Sequence, residues 1–147
     1  MNKPKVLFLC TGNSARSQMA EGLLRAMAGE HFEIFSAGTE PKGRILPEVQ
    51  EAMRDIGVDL SGRWSKSVSE YPGQAVFAHV VTVCAEAEAN CPVVFLSTGA
   101  HHHWAFDDPA RADDERRLLT TRRVRGQIEQ RLRLWLTEQG SAPKEFR

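Results

Sequence analysis

Cysteine is scarce in this chain. Three residues among 147 is a small and odd number, which excludes the disulfide-dense secreted scaffolds. An excess of either charge is also missing, since 19 Lys+Arg balance 19 Asp+Glu. That balance speaks against a polybasic nucleic-acid binder and against an acidic disordered chain. No stretch approaches the ~18 apolar residues of a membrane span, so neither nucleic acid nor membrane is an expected partner. No small-residue cleavage site follows the short apolar run of MNKPKVLFLC, which therefore reads as a strand and not as a signal peptide. Internal repeats, low-complexity tracts and Gly-, Ser- or Pro-rich linkers are absent as well. What remains is an ordinary globular composition, 41% apolar and 26% charged, long enough to bury a core unaided. The expected setting is the reducing cytoplasm, where cysteines are kept as small core residues or for their chemistry. One domain over residues 1–139, a frayed tail over 140–147 and a monomer are the corresponding expectations.

Strand-like and helix-like segments alternate, which points to an α/β fold. Residues 5–10 (KVLFLC) form a near-continuous apolar run, as in a parallel strand buried on both faces. Turn chemistry follows at 11–14, then Ala20, Leu23, Leu24 and Met27 at helical spacing predict a first helix over 15–29. A second strand is expected over 32–36, stopped by Ala37 and Gly38. Pro47 opens a helix whose Val49, Ala52, Met53 and Ile56 share one face, with Gly57 at its end. Residues 61–73 are polar and turn-rich. A third strand is expected over 77–84, a fourth over 92–96, and a last helix over 114–139 with Val124, Ile128, Leu132 and Trp135 in one stripe. The eight arginines between Arg111 and Arg133 read as a solvated helix face with acidic partners. Four parallel strands with right-handed crossovers make an open sheet, whose ligands bind beyond the strands' carboxyl ends. Cys10 and Cys84 both fall at such ends.

The loop after the first strand, CTGNSARS at 10–17, sits between a buried strand and a helix N-terminus. Gly12 and Asn13 can take left-handed backbone angles there. Such a loop turns the backbone N–H groups of Thr11, Gly12, Asn13, Ser14, Ala15 and Arg16 onto one tetrahedral oxyanion, with the helix dipole behind them. Arg16 offers a planar fork to two of the anion's oxygens. Cys10 lies at the floor of the cradle, and Ser17 can donate to its sulfur. The plain alternative is a buried cysteine ending a strand above an ordinary turn.

CTGNSARSQMAEGLLR at 10–25 resembles the phosphate-binding loop and first helix shared by low-molecular-weight protein tyrosine phosphatases and the arsenate reductases built on their fold. The blocks SAGTEPKG (36–43), VTVC (81–84), NCP (90–92) and HWAFDDP (103–109) resemble the thioredoxin-coupled arsenate reductases. The resemblance spans nearly the whole chain. It implies a phosphotyrosine phosphatase I-like fold, a three-layer arrangement with the four-stranded parallel sheet in order 2-1-3-4 and helices on both faces. It also implies that Asp108, directly before Pro109, is the acid that protonates the departing oxygen, beside the aromatic residues Trp104 and Phe106. The alternative is that Asp107 or Asp108 only caps the turn.

Cys84 and Cys91 separate a reductase from a phosphatase. Reducing As(V) to As(III) takes two electrons, which two thiols supply on becoming a disulfide. The implied relay runs from Cys10, which attacks arsenate, to Cys84, which attacks Cys10, and then to Cys91, which attacks Cys84. An external dithiol, thioredoxin by the resemblance or another thiol system, restores the thiols, and no bound cofactor is expected. Phosphate and sulfate are the competing anions. If 84–91 were all helix, the two Cα atoms would be ~10 Å apart, beyond the about 7 Å that a disulfide tolerates. The helix-favouring run 85–89 is therefore expected to switch between order and disorder. Two core cysteines are the structural alternative. A zinc site with His101, His102 and His103 fits poorly, because three adjacent histidines cannot all face one ion; these histidines are expected in a solvated loop near the site's mouth.

Some relatives carry a second loop cysteine where this chain has Ala15. Related reductases also hold potassium with counterparts of Asn13, Glu21, Ser36 and an Asp within 61–70. Here Lys66 stands near that Asp, so a fixed ammonium is expected in place of the cation, and no metal. Two other functions stay open at this stage: a small phosphotyrosine phosphatase, and a non-catalytic module that binds oxyanions or arsenite. Residues Ala110 and Arg111 after Asp108-Pro109 supply no ring to sandwich a phenyl group, which favours a small inorganic anion.

Overall fold

The protein's structure is a computed structural model that describes residues 3–71, 77–85 and 99–147. In chain order it has strand β1 (Lys5–Cys10), helix α1 (Arg16–Ala28), strand β2 (Glu33–Gly38), helix α2 (Pro47–Arg54), strand β3 (His79–Thr82), strand β4 (Ala100–His103) and helix α3 (Arg117–Glu138). Short 3-10 turns lie at Val68–Glu70 and Pro109–Arg111. All strand pairings are parallel, in the order β2-β1-β3-β4, as expected from the sequence.

β1 takes the centre because its side chains can be buried on both faces, and Val6 to Leu9 are wholly inaccessible. The two-residue period sends Val6, Phe8 and Cys10 into the core shared with the helices. Leu7 and Leu9 enter a smaller cluster with Phe77 and Val80, covered by Phe35, Val68 and Tyr71. α1 brings Met19, Leu23, Leu24 and Met27 to the larger core, α2 brings Val49 and Met53, and α3 brings Val124, Ile128, Leu132, Trp135 and Leu136. Pro47 starts α2 at a position where its missing N–H costs nothing. Gly57, at φ +82°, reverses the chain after it, and the Val58 N–H returns to the Met53 carbonyl at 2.9 Å.

Some elements differ from expectation. β2 runs on through Ala37 and Gly38, because Gly38 pairs with Cys10 on one side and donates its N–H to the Lys66 carbonyl on the other. β3 is shorter than 77–84. The strand expected over 92–96 lies outside the described residues, and the strand beside β3 is Ala100–His103. His101, His102 and His103 are therefore part of the sheet and not a solvated loop, since the neighbouring strand satisfies their backbone. The tail is not frayed either. Lys144 N–H reaches the Met27 carbonyl at 2.9 Å, Phe146 packs on the main core, and Arg147 holds Glu129 at 3.0 Å. Six of the eight arginines have acidic partners, and Arg117, Arg122 and Arg125 tie α3 to Glu48 and Asp55 around α2.

His79 and His102 meet with ring nitrogens 3.2 Å apart, edge-on to Trp135, while the Arg131 guanidinium lies 4.7 Å above the neighbouring Trp104 ring. Burial pushes both imidazoles below their ordinary range. His102 also acts against His79, and Arg131 against His102 more than Glu138 offsets. The unfolded chain therefore takes up these protons at a higher pH than the folded one, and stability drops as pH falls below about 6.5. Urea unfolding at pH 7.5 and 5.5 should show that loss in the wild type and a smaller one in the H79N/H102N variant. An equal loss in both would remove the pair as its source.

Candidate active site

β1 delivers Cys10 to the carboxyl edge of the sheet, 2% exposed, and α1 begins six residues later at Arg16. Asn13 takes the left-handed conformation, φ +49°, and its N–H points back at the Cys10 Sγ at 3.1 Å. Ser17 Oγ lies 2.9 Å from the same sulfur. Because Ser17 Oγ already accepts from Asn13 Nδ2 at 2.7 Å, its own proton is left for the sulfur. The sulfur is thus the acceptor of two converging donors. α1 opens with no side-chain cap and no acidic residue in its first turn, so its positive end carries no carboxylate of its own.

A second segment gives the loop its shape. Residues 39–46 run alongside it and donate four backbone hydrogen bonds to its carbonyls: Thr39 to Cys10 at 3.3 Å, Glu40 to Thr11 at 2.9 Å, Lys42 to Gly12 at 3.0 Å and Leu46 to Ser14 at 2.9 Å. Carbonyls drawn outward leave N–H groups facing inward. Gly38 allows the approach, since a Cβ there would stand 2.5 Å from the Thr11 carbonyl oxygen and 3.0 Å from the Asn13 nitrogen. Asn13 is locked in turn, its Oδ1 accepting from the Lys66 N–H at 2.7 Å and from Gln18 Nε2 at 3.0 Å.

Arg16 is 3% exposed, donates to the Phe106 carbonyl at 3.2 Å and faces Asp108 Oδ2 at 3.5 Å. Asp108 combines both readings of its position. Its Oδ1 caps the 3-10 turn at the Ala110 N–H, 3.0 Å away, while Oδ2 turns to Arg16. Asp107 points outward to Arg123. Cys10 through Arg16, with Lys42, Asp108, Ala110 and Arg111, line a cavity of about 140 Å³. Among the described residues its lining holds no aromatic ring. Trp104 and Phe106, expected as walls beside the acid, are instead buried in the core.

Residues 5–144 match the low molecular weight phosphotyrosine protein phosphatase family. The chain belongs to that family. It is 42% identical over 135 residues to the arsenate reductase of Halalkalibacterium halodurans, covering 90% of this chain and 95% of that one. Among solved structures, an arsenate reductase in the phosphate binding state superposes with a TM-score of 0.76 at 27% identity, over 92% of this chain and 98% of that one. The thioredoxin-dependent arsenate reductase of Corynebacterium glutamicum does so with a TM-score of 0.61 at 27% identity, over 93% of this chain and 62% of that one.

Within this family member, Cys84 is fully buried in the same core cluster as Cys10, two residues past β3, where the Val83 N–H still bonds the Leu9 carbonyl at 2.9 Å. Cys84 is disulfide-bonded, whereas Cys10 carries a free thiol. The order–disorder expectation rests on the run 85–89, of which residues 86–89 lie, with Cys91, outside the described residues.

The residues weighed as a potassium site converge, but they do not fit the ion. The buried Glu21 carboxylate accepts from Ser36 and pairs with Arg25 and Arg63 at 2.9 Å and with Lys66 at 3.8 Å. Asn13 Oδ1 already has its two donors. Burial pushes the Lys66 ammonium below its usual range, and Glu21 works against that shift. Lys66 is turned to Glu21, and Ser67 caps the Val68–Glu70 turn.

The outward strap 39–46, Gly38 and Gln18 escaped the sequence reading. A polar Gln18 amid α1's buried residues was the available signal. Gly38→Ala should push the loop out of shape and lower anion affinity by at least a hundredfold, read as protection of Cys10 from alkylation by inorganic phosphate. Near-normal protection would refute the role given to that close approach. Exchanging sodium for potassium at constant ionic strength should leave the protection unchanged.

Proposed function

We propose that this chain reduces arsenate to arsenite through a relay of three cysteines and serves arsenic detoxification in the cytoplasm. The observation that carries the reading is the Cys10 sulfur at the floor of an anion cradle, accepting from Asn13 N–H and Ser17. Cys10 attacks arsenic as the thiolate, and Asp108 protonates the oxygen that leaves as water. Arg16 and the inward N–H groups hold the remaining oxygens. Cys84 then attacks the Cys10 sulfur. The sulfur–arsenic bond breaks, its electron pair stays on arsenic, and arsenite leaves as a Cys10–Cys84 disulfide forms. Cys91 attacks Cys84 and frees the Cys10 thiolate, and the Cys84–Cys91 disulfide passes to thioredoxin, whose dithiol is oxidised as the pair is reduced.

Several findings support this reading. Cys10 and Cys84 share one buried cluster at adjoining strand ends, which suits direct sulfur-to-sulfur attack. The Halalkalibacterium halodurans relative is an arsenate reductase, and the Corynebacterium glutamicum neighbour is thioredoxin-dependent. Phosphate monoester hydrolysis is the second reading, favoured by the family and by a cradle that suits any tetrahedral anion. Against it stands a mouth to which the described residues bring no ring.

Reduced wild type should lose two free thiols on adding arsenate, with the disulfide mapped to positions 84 and 91. Arsenate-dependent oxidation of thioredoxin should vanish in both C10S and C84S. Hydrolysis of aryl phosphate that survives C84S, with no arsenate-dependent thiol loss in any variant, would make the chain a phosphatase instead.

A further inference from the structure

We propose that Lys42, seconded by Arg111, is a specificity determinant that favours inorganic tetrahedral dianions over organic phosphate monoesters. The inference deepens the reading above and rests on it, in that the cradle is taken as the site of an inorganic oxyanion.

Lys42 is fixed at the cavity's edge by its backbone, whose N–H holds the Gly12 carbonyl at 3.0 Å, and by its stem. A Cβ built on Gly12 would stand 3.1 Å from Lys42 Cγ and 3.5 Å from Cε, so the methylenes lie flat against the cradle and carry the ammonium along its rim. Arg111 reaches the same cavity from the turn that Asp108 caps. Both are exposed, and neither has a carboxylate partner among the described residues. The carboxylate that shares the cavity, Asp108, is engaged by Arg16 and by the Ala110 N–H.

Attack from the floor places the leaving oxygen at the mouth. In an inorganic anion that oxygen bears at most a proton and can accept from Lys42 while both cations keep their water. A monoester bears carbon there. Its organic group would lie across two hydrated cations that have no carboxylate partner among the described residues, and stripping their water is costly. The mouth therefore presents charge where an ester presents hydrocarbon.

The test compares two probes, inorganic phosphate and phenyl phosphate, each read as the concentration that protects Cys10 from alkylation by iodoacetamide. In K42Q the affinity for inorganic phosphate should fall about tenfold, and in K42Q/R111Q about a hundredfold. Phenyl phosphate should lose less than about threefold, and K42R should restore the wild-type ratio. The inorganic-phosphate affinity of the wild type should also weaken more with added salt than that of K42Q. Equal losses for both probes would reduce the pair to general attraction and overturn the proposal, as would an unchanged ratio. The readout needs no turnover. A wild type that fails to reduce arsenate but shows the shifted ratio would sink the relay and leave Lys42 standing, and active reduction with an unmoved ratio would do the reverse.

Discussion

Everything at the site depends on the direction in which six peptide groups point. A strand ending at Cys10 and a helix starting at Arg16 leave a short loop whose N–H groups and carbonyls must be sorted to opposite sides. The sorting is done by another part of the backbone. Residues 39–46 take four of the loop's carbonyls outward, and the Asn13 N–H turns inward onto the sulfur. With those carbonyls satisfied on the outside, the strap shapes the cradle and leaves its inner side to hydrogen-bond donors. The absence of a Cβ at Gly38 is what lets the two backbones lie so close.

Behind the cradle lies a chain of side chains that carries position from the protein surface to the sulfur. Glu21 gathers Arg25, Arg63 and Lys66 at one end. The Lys66 backbone fixes Asn13, Asn13 fixes Ser17, and Ser17 meets Cys10. Related reductases are expected to use a potassium ion near this point. Here the chain's own cations take up the buried carboxylate, so the arrangement is covalently attached to the fold.

Much of this was legible beforehand, and the reasons differ from part to part. β1, α1, α2 and α3 announce themselves through apolar periodicity, a local property that the fold preserves. Cys10, Arg16 and Ser17 follow from the same local logic, since strand, turn and helix are consecutive. β4 was not legible because AHHH carries no apolar signal; it is a strand only because β3 offers it a ladder. The strap was invisible for a similar reason. Its contribution comes from backbone N–H groups, which every non-proline residue has, and no side chain marks which ones will be used. The packed tail depends on Met27 and Glu129, far away in sequence. Asp108 was singled out over Asp107 by its place directly before Pro109, and the fold sends the one toward Arg16 and the other out to Arg123.

The lining of the cavity has a wider implication. A cup that grips oxygens through hydrogen bonds, and touches the central atom only with sulfur, measures size and charge; it is blind to the element inside. Phosphorus and arsenic in their highest oxidation states look almost alike to it. Discrimination then has to come later, from the readiness of the bound atom to accept an electron pair, a question that only a second thiol can ask. On the relay reading, binding is tolerant and selectivity is chemical, so an abundant non-reducible anion slows this enzyme by occupying it without ever being mistaken for product.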